Sequence, residues 1–496
     1  MPSGFSRRRF LAIAGGGYAS IVLAGCGKSA GPVSSTRSAV AAAERRRRKP
    51  GASVTELTLT AAPYTLDLAG TQVKTWAYNG AVPGPEVRLK AGEVLRARFV
   101  NDLPEEAVVH WHGIALRNDM DGVPGVTQEA VTPGKSFMYE FTVPDPGSYW
   151  FHPHNGLQLD QGLYVPLIVD DPAEPRRYDR EFTVVLDDWV SGIGPTPEET
   201  LKELQGGAMQ MGTMQMARSE LLGGDAGDVM YPMFLMNGRP PNDPPSFDAK
   251  PGERLRLRLI NAGAETAFRV ALGGHQLTVT HTDGLPVEPV TVDTLLVGMS
   301  ERYDVIVTVA GPGAFPLAAM AEGKSGQSLG VVRSGPGEAP GADARPAEFD
   351  GRLLEMSELR AAASVTLPAR SVDRTYNLEL NAAAEGYRWM INGKSVLDHE
   401  EVREQTTPLK VAQGERIRLV FDNKSTMFHP MHLHGHSFQV VAADGGAGPR
   451  KDSMIVRPKE RISVDVAADN PGQWLLHCHN VYHQASGMVT LLSYES

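Results

Sequence analysis

The fold is decided by AGEVLRARFVN, residues 91–101, together with two further copies of the same pattern. PGERLRLRLIN spans residues 251–261 and QGERIRLVFDN spans residues 413–423, so the copies begin 160 and 162 residues apart. In each copy apolar side chains alternate with arginine or another outward-facing residue, which is the period-two pattern of a half-buried strand. A period of this length is too long for a solenoid repeat, so the pattern predicts three homologous β domains.

Length and composition agree with that prediction. The 496 residues give room for about three domains with full-sized cores, and 52 glycines and 36 prolines suit many short strands better than long helices. An Asn-Gly pair, which is typical of tight hairpin turns, lies upstream of each copy, at Asn79, Asn237 and Asn392. We therefore expect an all-β protein. Its three domains are expected to cover residues 51–172, 173–345 and 346–496.

The charge is unevenly distributed along the chain. The formal net charge is −10 and residues 1–50 carry +9, so the remaining residues carry −19. Such an acidic body disfavours nucleic acid as a partner and attracts cations instead. The chain has only two cysteines, Cys26 and Cys478, so no disulfide framework is predicted and each thiol has to be interpreted on its own.

Residues 1–26 have the features of an export signal. Three arginines at residues 7–9 precede an apolar run over residues 11–24 that is too short to span a bilayer as a stable helix. The arginines resemble a twin-arginine signal, and the Leu-Ala-Gly-Cys sequence that ends at Cys26 resembles a bacterial lipoprotein cleavage site. This resemblance implies that Cys26 becomes the lipidated first residue of an exported protein. The lipid would anchor it to the outer face of the cytoplasmic membrane, in the periplasm or at the cell surface.

Residues 27–50 are predicted to form a disordered tether between this anchor and the body. The segment is rich in Ala, Ser and Gly and lacks the apolar content that a packed core needs. Its basic run, residues 45–49, has two interpretations. The run lies against anionic lipid headgroups and assists the membrane anchor, or it is a solvated linker.

Histidine is concentrated in a few places. Ten of the 14 histidines fall into four short motifs. They are His110 and His112; His152 and His154; His429, His432 and His434; and His477, His479 and His483. Residues i and i+2 of a strand face the same side, so each His-X-His pair can present two imidazoles to one point. Neutral imidazole binds Cu, Zn, Fe or Ni, so the motifs predict a metal site.

The motifs place this metal site between the first and third domains. His152 and His477 each lie five residues after a glycine, in GSYWFHPH and GQWLLHCH. In the middle domain the residue five positions after Gly313 is Ala318. The middle domain therefore lacks such a site, and the histidines of the outer two domains are expected to meet at their interface.

Cys478 identifies the metal as copper. A thiolate, two imidazoles and a weak thioether form the ligand set of blue copper. The four candidate ligands are Cys478, His429, His483 and Met488. A closed zinc site would need a second cysteine nearby, and the sequence has none there. Because neighbouring side chains of a strand point to opposite faces, His477 and His479 would connect this copper covalently with the metals at the interface.

These motifs resemble those of three-domain multicopper oxidases of the bacterial laccase and cuprous oxidase type, over roughly residues 51–496. The resemblance implies three cupredoxin-like Greek-key β-sandwich domains, four copper ions, and reduction of O2 to water at a trinuclear cluster. It implies that His110 and His432 hold the type 2 copper, and that the ligand set of Cys478 holds the type 1 copper with Met488 axial. The ligands it implies for the type 3 copper pair are His112, His152, His154, His434, His477 and His479.

Two further positions bear on proton delivery. Asp121 matches the carboxylate near the cluster that is thought to help deliver protons in this family. Asp-Gly is also a common turn signal, so a plain turn aspartate is the alternative interpretation. Several bacterial relatives have glutamate directly after the second type 1 histidine, where this chain has Gln484. That difference argues against a proton relay from this position.

A methionine-rich segment in the middle domain bears on the substrate. Met209, Met211, Met214 and Met216 fall within eight residues. Thioether sulfur is a soft ligand that selects Cu(I), which favours a loop that captures cuprous ion. The alternative is an amphipathic helix over residues 198–222 that buries methionine in a core.

Two functions of different classes follow. The first is an oxidase with O2 as electron acceptor, whose substrate is Cu(I) in copper tolerance or, alternatively, a phenol as in laccases. The second is a non-enzymatic copper-binding scaffold, which the complete set of ligand positions argues against. Fe(II) is a lesser alternative substrate because the sequence reveals no carboxylate-rich entry site, and the three-domain length does not fit a two-domain nitrite reductase. We expect the protein to be a monomer.

Overall fold

The computed structural model describes residues 34–174, 177–206, 217–397 and 401–495. This part of the chain consists mainly of β-strands, which form three successive β-sandwiches. The predicted all-β class is therefore confirmed, while the domain boundaries at residues 172 and 345 stay predictions.

The first sandwich contains eight strands. They are β1 (Val54–Leu68), β2 (Thr71–Tyr78), β3 (Val87–Lys90), β4 (Val94–Asn101), β5 (His110–His112), β6 (Lys135–Thr142), β7 (Gly147–His152) and β8 (Val165–Asp170). One sheet has the order β2-β1-β4-β6 and the other has the order β3-β8-β7-β5.

The second sandwich is the largest. Its strands are β9 (Arg180–Trp189), β10 (Arg218–Ser219), β11 (Gly224–Asp225), β12 (Met233–Met236), β13 (Ser246–Asp248), β14 (Arg254–Asn261), β15 (Phe268–Leu272), β16 (Leu277–Thr282), β17 (Leu285–Val292), β18 (Leu295–Val297), β19 (Arg302–Thr308), β20 (Ala314–Ala321) and β21 (Gln327–Arg333). A six-stranded sheet, β12-β9-β14-β19-β16-β17, accompanies a five-stranded sheet, β13-β21-β20-β15-β18, and β10 pairs with β11.

The third sandwich repeats the arrangement of six and five strands. Its strands are β22 (Arg374–Ala382), β23 (Trp389–Ile391), β24 (Leu409–Val411), β25 (Arg416–Asn423), β26 (His429–Leu433), β27 (Phe438–Val441), β28 (Ala447–Lys451), β29 (Ser453–Val456), β30 (Arg461–Ala467), β31 (Gln473–Cys478) and β32 (Val489–Tyr494). The sheet orders are β23-β22-β25-β30-β27-β28 and β24-β32-β31-β26-β29.

Helices are few and short in the described residues. The α-helices are α1 (Ser34–Arg47), α2 (Pro197–Gln205), α3 (Val402–Gln405) and α4 (Val481–Ala485). Single 3₁₀ turns lie at Asn118–Met120, Gln158–Gln161, Ala347–Asp350 and Met356–Glu358. The alternative of one helix over residues 198–222 is wrong, because α2 ends at Gln205 and residues 218–219 belong to β10. Met209, Met211, Met214 and Met216 lie outside the described residues.

The three sequence repeats occupy equivalent positions. Each forms a strand, β4, β14 or β25, that pairs in parallel with the first strand of its sandwich and antiparallel with a later one. Each repeat ends in a buried asparagine, Asn101, Asn261 or Asn423, whose side-chain amide donates to two backbone carbonyls. The shared pairing and the shared hydrogen bonds support the prediction of homologous domains.

The predicted alternation fails in the middle repeat. Arg256 and Arg258 of β14 are buried instead of facing solvent. Both guanidinium groups donate to the buried carboxylate of Asp304, and Arg258 also donates to Ser148 of the first sandwich. Burial of a charge requires a partner of opposite charge, and Asp304 supplies one where the two sandwiches meet.

The predicted disordered tether is wrong over residues 34–47, which form α1. Val40 and Ala43 of this helix are buried. The buried carboxylate of Glu44 accepts hydrogen bonds of 2.9 Å and 2.7 Å from the backbone N–H and the hydroxyl of Thr142 in β6. Alanine favours helix, and a narrow apolar face with one buried acceptor suffices to hold α1 against the first sandwich.

The predicted membrane anchor lies outside the residues that the structure describes. Residues 1–26, including Cys26, are not among the described residues. Within the described residues, none of the helices combines the length and the apolar character needed to cross a bilayer.

The apolar cores of the first and third sandwiches are continuous. Trp111 of β5 and Trp474 of β31 belong to one buried cluster, which also includes Leu433 of β26. This continuity brings β5 and β7 of the first sandwich next to β26 and β31 of the third. All four strands carry histidines from the motifs.

Candidate metal centre

Eight imidazoles from the first and third sandwiches meet at their interface. We call them the interface cluster: His110, His112, His152, His154, His432, His434, His477 and His479. Strand pairing aligns the motifs, with His110 opposite His152 in β5 and β7, and His432 opposite His477 in β26 and β31. All eight side chains are buried. The predicted meeting of the two outer domains through their histidines is thus observed in the geometry.

Within the interface cluster the rings approach in smaller groups. The ring nitrogens of His154, His434 and His477 lie within 4.8 Å of one another, and Nε2 of His434 is 3.1 Å from Nε2 of His477. Nε2 of His479 lies 3.3 Å from Nε2 of His152. Two unprotonated imidazole nitrogens at these distances repel each other through their lone pairs. A cation bound between them would remove this repulsion.

A third group is formed by His110 and His432. Their ring centroids lie 5.8 Å apart, and both contribute a nitrogen to a group, with His434, whose candidate ligand atoms lie within 4.8 Å of one another. His112 completes the arrangement, with ring centroids 5.7 Å from His152 and 5.0 Å from His479.

Hydrogen bonds show which nitrogens are available for a metal. Nδ1 of His110 donates to the backbone carbonyl of Asp121, and Nδ1 of His432 donates to that of Asp452. Among the described residues, Nε2 of both rings is buried without a hydrogen-bond partner. An unpaired buried polar atom costs about 1–3 kcal/mol, so these atoms fit a metal ion better than they fit an apolar interior.

The protonation state of the interface cluster also fits a metal. Burial lowers the pKa of His434 and of His477 well below the usual histidine range, and neighbouring imidazoles lower it further. Burial acts in the same direction on the pKa of His112, His152 and His479. Neutral imidazole is the form that binds a metal, so little proton release is needed on binding.

A second site surrounds Cys478 on the other side of β31. Its Sγ lies 3.7 Å from Nδ1 of His429 and 3.6 Å from Nδ1 of His483, and these two nitrogens are 3.1 Å apart. Burial raises the pKa of the Cys478 thiol well above its usual range. A thiolate in this apolar position therefore requires a cation to stabilise it, which suits a soft metal ion.

Local structure orients these ligands. The Asn480 side chain caps α4 by accepting from the backbone N–H groups of Tyr482 and His483, which fixes the loop that follows Cys478. Met488 is fully buried, and its carbonyl accepts from the backbone N–H of Cys478. The hydroxyl of Ser425 binds Nε2 of His429 at 2.8 Å, which leaves Nδ1 facing the sulfur.

Asp121 lies inside the protein between two rings of the interface cluster. Its Oδ2 is 2.8 Å from Nδ1 of His434, and its backbone carbonyl accepts from His110. It is followed by Gly122 at φ +76°, where a Cβ would lie 1.9 Å from the carbonyl oxygen of Val109. The interpretation as a plain turn residue does not fit this burial, while a part in proton delivery stays a prediction.

Sequence reasoning missed several groups around the two sites. Asp228 Oδ2 lies 3.2 Å from Nε2 of His483 and accepts a 2.5 Å hydrogen bond from the hydroxyl of Tyr387. The ring of Trp389 lies over His483 with a centroid distance of 4.0 Å. These residues are 94–255 positions from His483 in sequence, and no local motif marks them.

Gln484 also takes a position at the interface cluster. Its side-chain amide nitrogen lies 3.4 Å from Nδ1 of His154. An amide does not titrate, so this position orients an imidazole without supplying a proton. The argument from sequence against a proton relay at this position stays a prediction.

The fold and the two sites define a copper-dependent oxidase built from three sandwiches. Family models described as multicopper oxidase match residues 60–174, 180–335 and 373–495, which together span most of the chain. The chain therefore belongs to the multicopper oxidase family. It is an oxidoreductase, and its family membership implies bound copper ions.

Similar proteins support this membership. The multicopper oxidase MmcO of Mycobacterium tuberculosis is 47% identical over 500 residues, which cover 99% of this chain and 97% of that protein. A copper resistance protein A homolog of Pseudomonas syringae pv. tomato is 29% identical and covers 98% of this chain and 99% of its own length. The crystal structure of a multicopper oxidase from Pseudomonas thermotolerans matches with a TM-score of 0.71 at 27% identity, over 90% of this chain and 100% of that one. The predicted cupredoxin-like architecture is confirmed.

Proposed function

We propose that this multicopper oxidase oxidises Cu(I) to Cu(II) and transfers the electrons to O2, forming water. The observation that carries the proposal is the junction of the two sites at the end of β31. Cys478 of the thiolate site lies between His477 and His479 of the interface cluster, so three consecutive residues join the two. A copper store would need no such connection.

The ligand geometry supports four copper ions. His429, Cys478, His483 and Met488 would hold type 1 copper, and His110 and His432 would hold type 2 copper. The six remaining residues of the interface cluster would hold the type 3 pair: His112, His152, His154, His434, His477 and His479. Copper bound in this way supplies one-electron acceptance from the substrate and four-electron reduction of O2.

The protein's own groups prepare the two sites for this chemistry. The Asp121 carboxylate accepts a hydrogen bond from Nδ1–H of His434. This contact directs Nε2 of His434 into the interface cluster. Complete burial of the rings excludes bulk water from the place where O2 would be reduced. Cys478 gives a covalent path of a few bonds to both neighbouring imidazoles.

A metal cation is favoured over a phenol as substrate by the surroundings of His483, and the preference for Cu(I) over Fe(II) rests on the soft thioethers of the methionine-rich segment. This ring is fully buried beneath Trp389, and its outer nitrogen contacts Asp228, whose side chain retains 16% exposure. Among the described residues, an approaching substrate meets a carboxylate before it meets the imidazole. A cation gains from that contact, whereas a neutral phenol gains no comparable attraction. The relatives named as copper resistance proteins support the same substrate.

The test is oxygen uptake by purified, copper-loaded protein with Cu(I), Fe(II) and a substituted phenol compared side by side. We expect the highest kcat/KM with Cu(I). A higher value with the phenol would contradict the proposed substrate and leave the family membership unaffected. No oxygen uptake with any of the three, at full copper loading, would contradict the oxidase function itself.

Replacement of Met209, Met211, Met214 and Met216 by leucine tests the proposed capture segment. Leucine keeps volume and apolarity, so packing would change by less than about 1.5 kcal/mol per site, but soft-ligand capacity would be lost. We expect kcat/KM for Cu(I) to fall at least about tenfold while that for the phenol is unchanged or higher. Steady-state kinetics on both substrates decide the point, since equal losses would indicate a general structural defect.

We also propose that the protein is exported and held at the membrane by a lipid on Cys26. The proposal rests on the signal-like sequence of residues 1–26, and α1 begins only eight residues after Cys26. Cys26→Ala is expected to move the protein from the membrane fraction to the soluble exported fraction, or to block its processing, with unchanged kcat and KM. Cell fractionation with immunoblotting measures this. Membrane retention of a processed Ala variant would contradict the anchor.

A further inference from the structure

The middle sandwich contributes none of the described histidines of the two sites, yet one of its side chains reaches the edge of the interface cluster. Arg302 is the first residue of β19 and is fully buried. Its two terminal nitrogens donate to the two carboxylate oxygens of Asp452, at 2.7 Å and 2.6 Å. Such two-point pairing is the strongest geometry available to arginine and fixes the plane of the carboxylate.

Asp452 in turn holds two rings of the interface cluster. Its Oδ1 lies 3.1 Å from Nε2 of His112, and its backbone carbonyl accepts from Nδ1 of His432 at 2.8 Å. Among the described residues, Nδ1 of His112 and Nε2 of His432 are buried without hydrogen-bond partners. The contacts with Asp452 thus decide which nitrogen of each ring is left for a metal.

Arg302 is itself held from all sides. Its Nε donates to the backbone carbonyl of Ser148 in the first sandwich, and Nη1 also donates to that of Ser300. Its guanidinium lies over the ring of Tyr149, 5.7 Å from the centroid. Since all three sandwiches meet at this side chain, its position depends on their correct assembly.

The histidine motif itself makes room for this ion pair. Gly113 follows His112 at φ +84°, and a Cβ there would lie 2.4 Å from Nη2 of Arg302 and 2.7 Å from Oδ2 of Asp452. The glycine of the first motif is therefore required by the Arg302–Asp452 pair as well as by the backbone turn.

We propose that Arg302 is a positioning residue through which the middle sandwich fixes Asp452, and with it the orientation of His112 and His432 at the copper cluster. The inference rests on the proposed assignment of these two histidines as copper ligands. Without Arg302 the buried carboxylate would lose its balancing charge and its fixed plane, and His112 would lose a stationary acceptor. The middle domain then has a part in metal binding although it supplies no ligand.

The experiment compares Arg302→Met with Arg302→Lys and with the matched control Arg256→Met, all in the full exported chain. Arg256 is also buried in the middle sandwich, and it pairs with Asp304 and Glu174 rather than with Asp452. The measurements are copper per chain, the type 2 signal in electron paramagnetic resonance, and the rate of copper loss to a chelator.

We expect Arg302→Met to lose copper from the cluster about 10- to 100-fold faster than wild type and to show a changed or absent type 2 signal, while its blue absorption persists. Arg302→Lys should be intermediate, because an ammonium restores the charge without the two-point geometry. Arg256→Met should lower thermal stability and leave the type 2 signal unchanged. Equal copper retention and an unchanged signal in Arg302→Met would overturn the inference.

Two further arms keep the result decisive. If Arg302→Met fails to fold, Asp452→Asn takes its place, and the same selective loss of cluster copper with retained blue absorption is expected. Full cluster copper in Asp452→Asn would overturn the inference. If wild-type protein loaded with copper shows blue absorption but no type 2 signal, the ligand assignment under the proposed function fails, and the role of Arg302 fails with it.

Discussion

Cys478→Ser is expected to abolish both the blue colour and the oxidase activity of the copper-loaded protein. The sulfur lies 3.6 Å and 3.7 Å from the nitrogens of His483 and His429, and the sequence offers no other thiol at this site. A serine hydroxyl is not a soft ligand and cannot supply the thiolate-to-copper transition that gives blue copper its colour. The covalent route to His477 and His479 would also be lost, because the serine oxygen would not bind the copper that accepts the electron.

The fold should survive this change. Serine is slightly smaller than cysteine, and its hydroxyl can donate to the nearby imidazole nitrogens, so the cost in the free energy of unfolding should be about 1–3 kcal/mol. Visible absorption, oxygen uptake and far-UV circular dichroism measure the three properties. Met488→Leu is the matched control, because it changes a buried neighbour of the same site while keeping all three strong ligands, and it should stay blue. A blue Ser variant would show that the type 1 assignment is wrong.

The sequence predicted those features that repeat or that lie close together along the chain. Strands β4, β14 and β25 were recognisable because the same alternating pattern occurs three times and ends in asparagine each time. The histidine motifs predicted a metal site between the outer domains because side chains two residues apart along a strand face the same side. Cys478 identified copper because ligand chemistry depends on residue type rather than on tertiary structure.

The features that sequence reasoning missed depend on contacts between distant segments. The burial of Arg256 follows from Asp304, 48 positions away, and the docking of α1 follows from Thr142, 98 positions from Glu44. From local sequence alone, arginine is expected to face solvent and an Ala-Ser-rich segment is expected to be disordered. A buried charge or a short helix is stable only when its distant partner is in place. The Arg302–Asp452 pair, with 150 positions between its members, is of the same kind.

Asp228→Asn is expected to lower kcat/KM for Cu(I) by about 10- to 100-fold while kcat/KM for a bulky phenol changes by less than about threefold. The carboxylate is the partly exposed group that contacts the buried His483, so it attracts an approaching cation and places it one residue from the type 1 site. Asparagine keeps the size and can still accept from the Tyr387 hydroxyl, so the site should retain its shape.

Asp225→Asn separates contact from long-range attraction in this experiment. Asp225 lies three residues earlier. Its carboxylate accepts from the backbone N–H of Gly227, and its interaction with His483 is coulombic rather than a hydrogen bond. If Asp228 acts by direct contact, the Asp225 variant should lose less than about threefold in kcat/KM for Cu(I), and added salt should weaken that small effect further. Equal losses in the two variants would mean that the acidic surface as a whole attracts the cation. The contrary outcome is an unchanged kcat/KM for Cu(I) in Asp228→Asn with blue absorption intact. It would show that Cu(I) reaches His483 without contacting Asp228 and that this carboxylate is not part of the entry site.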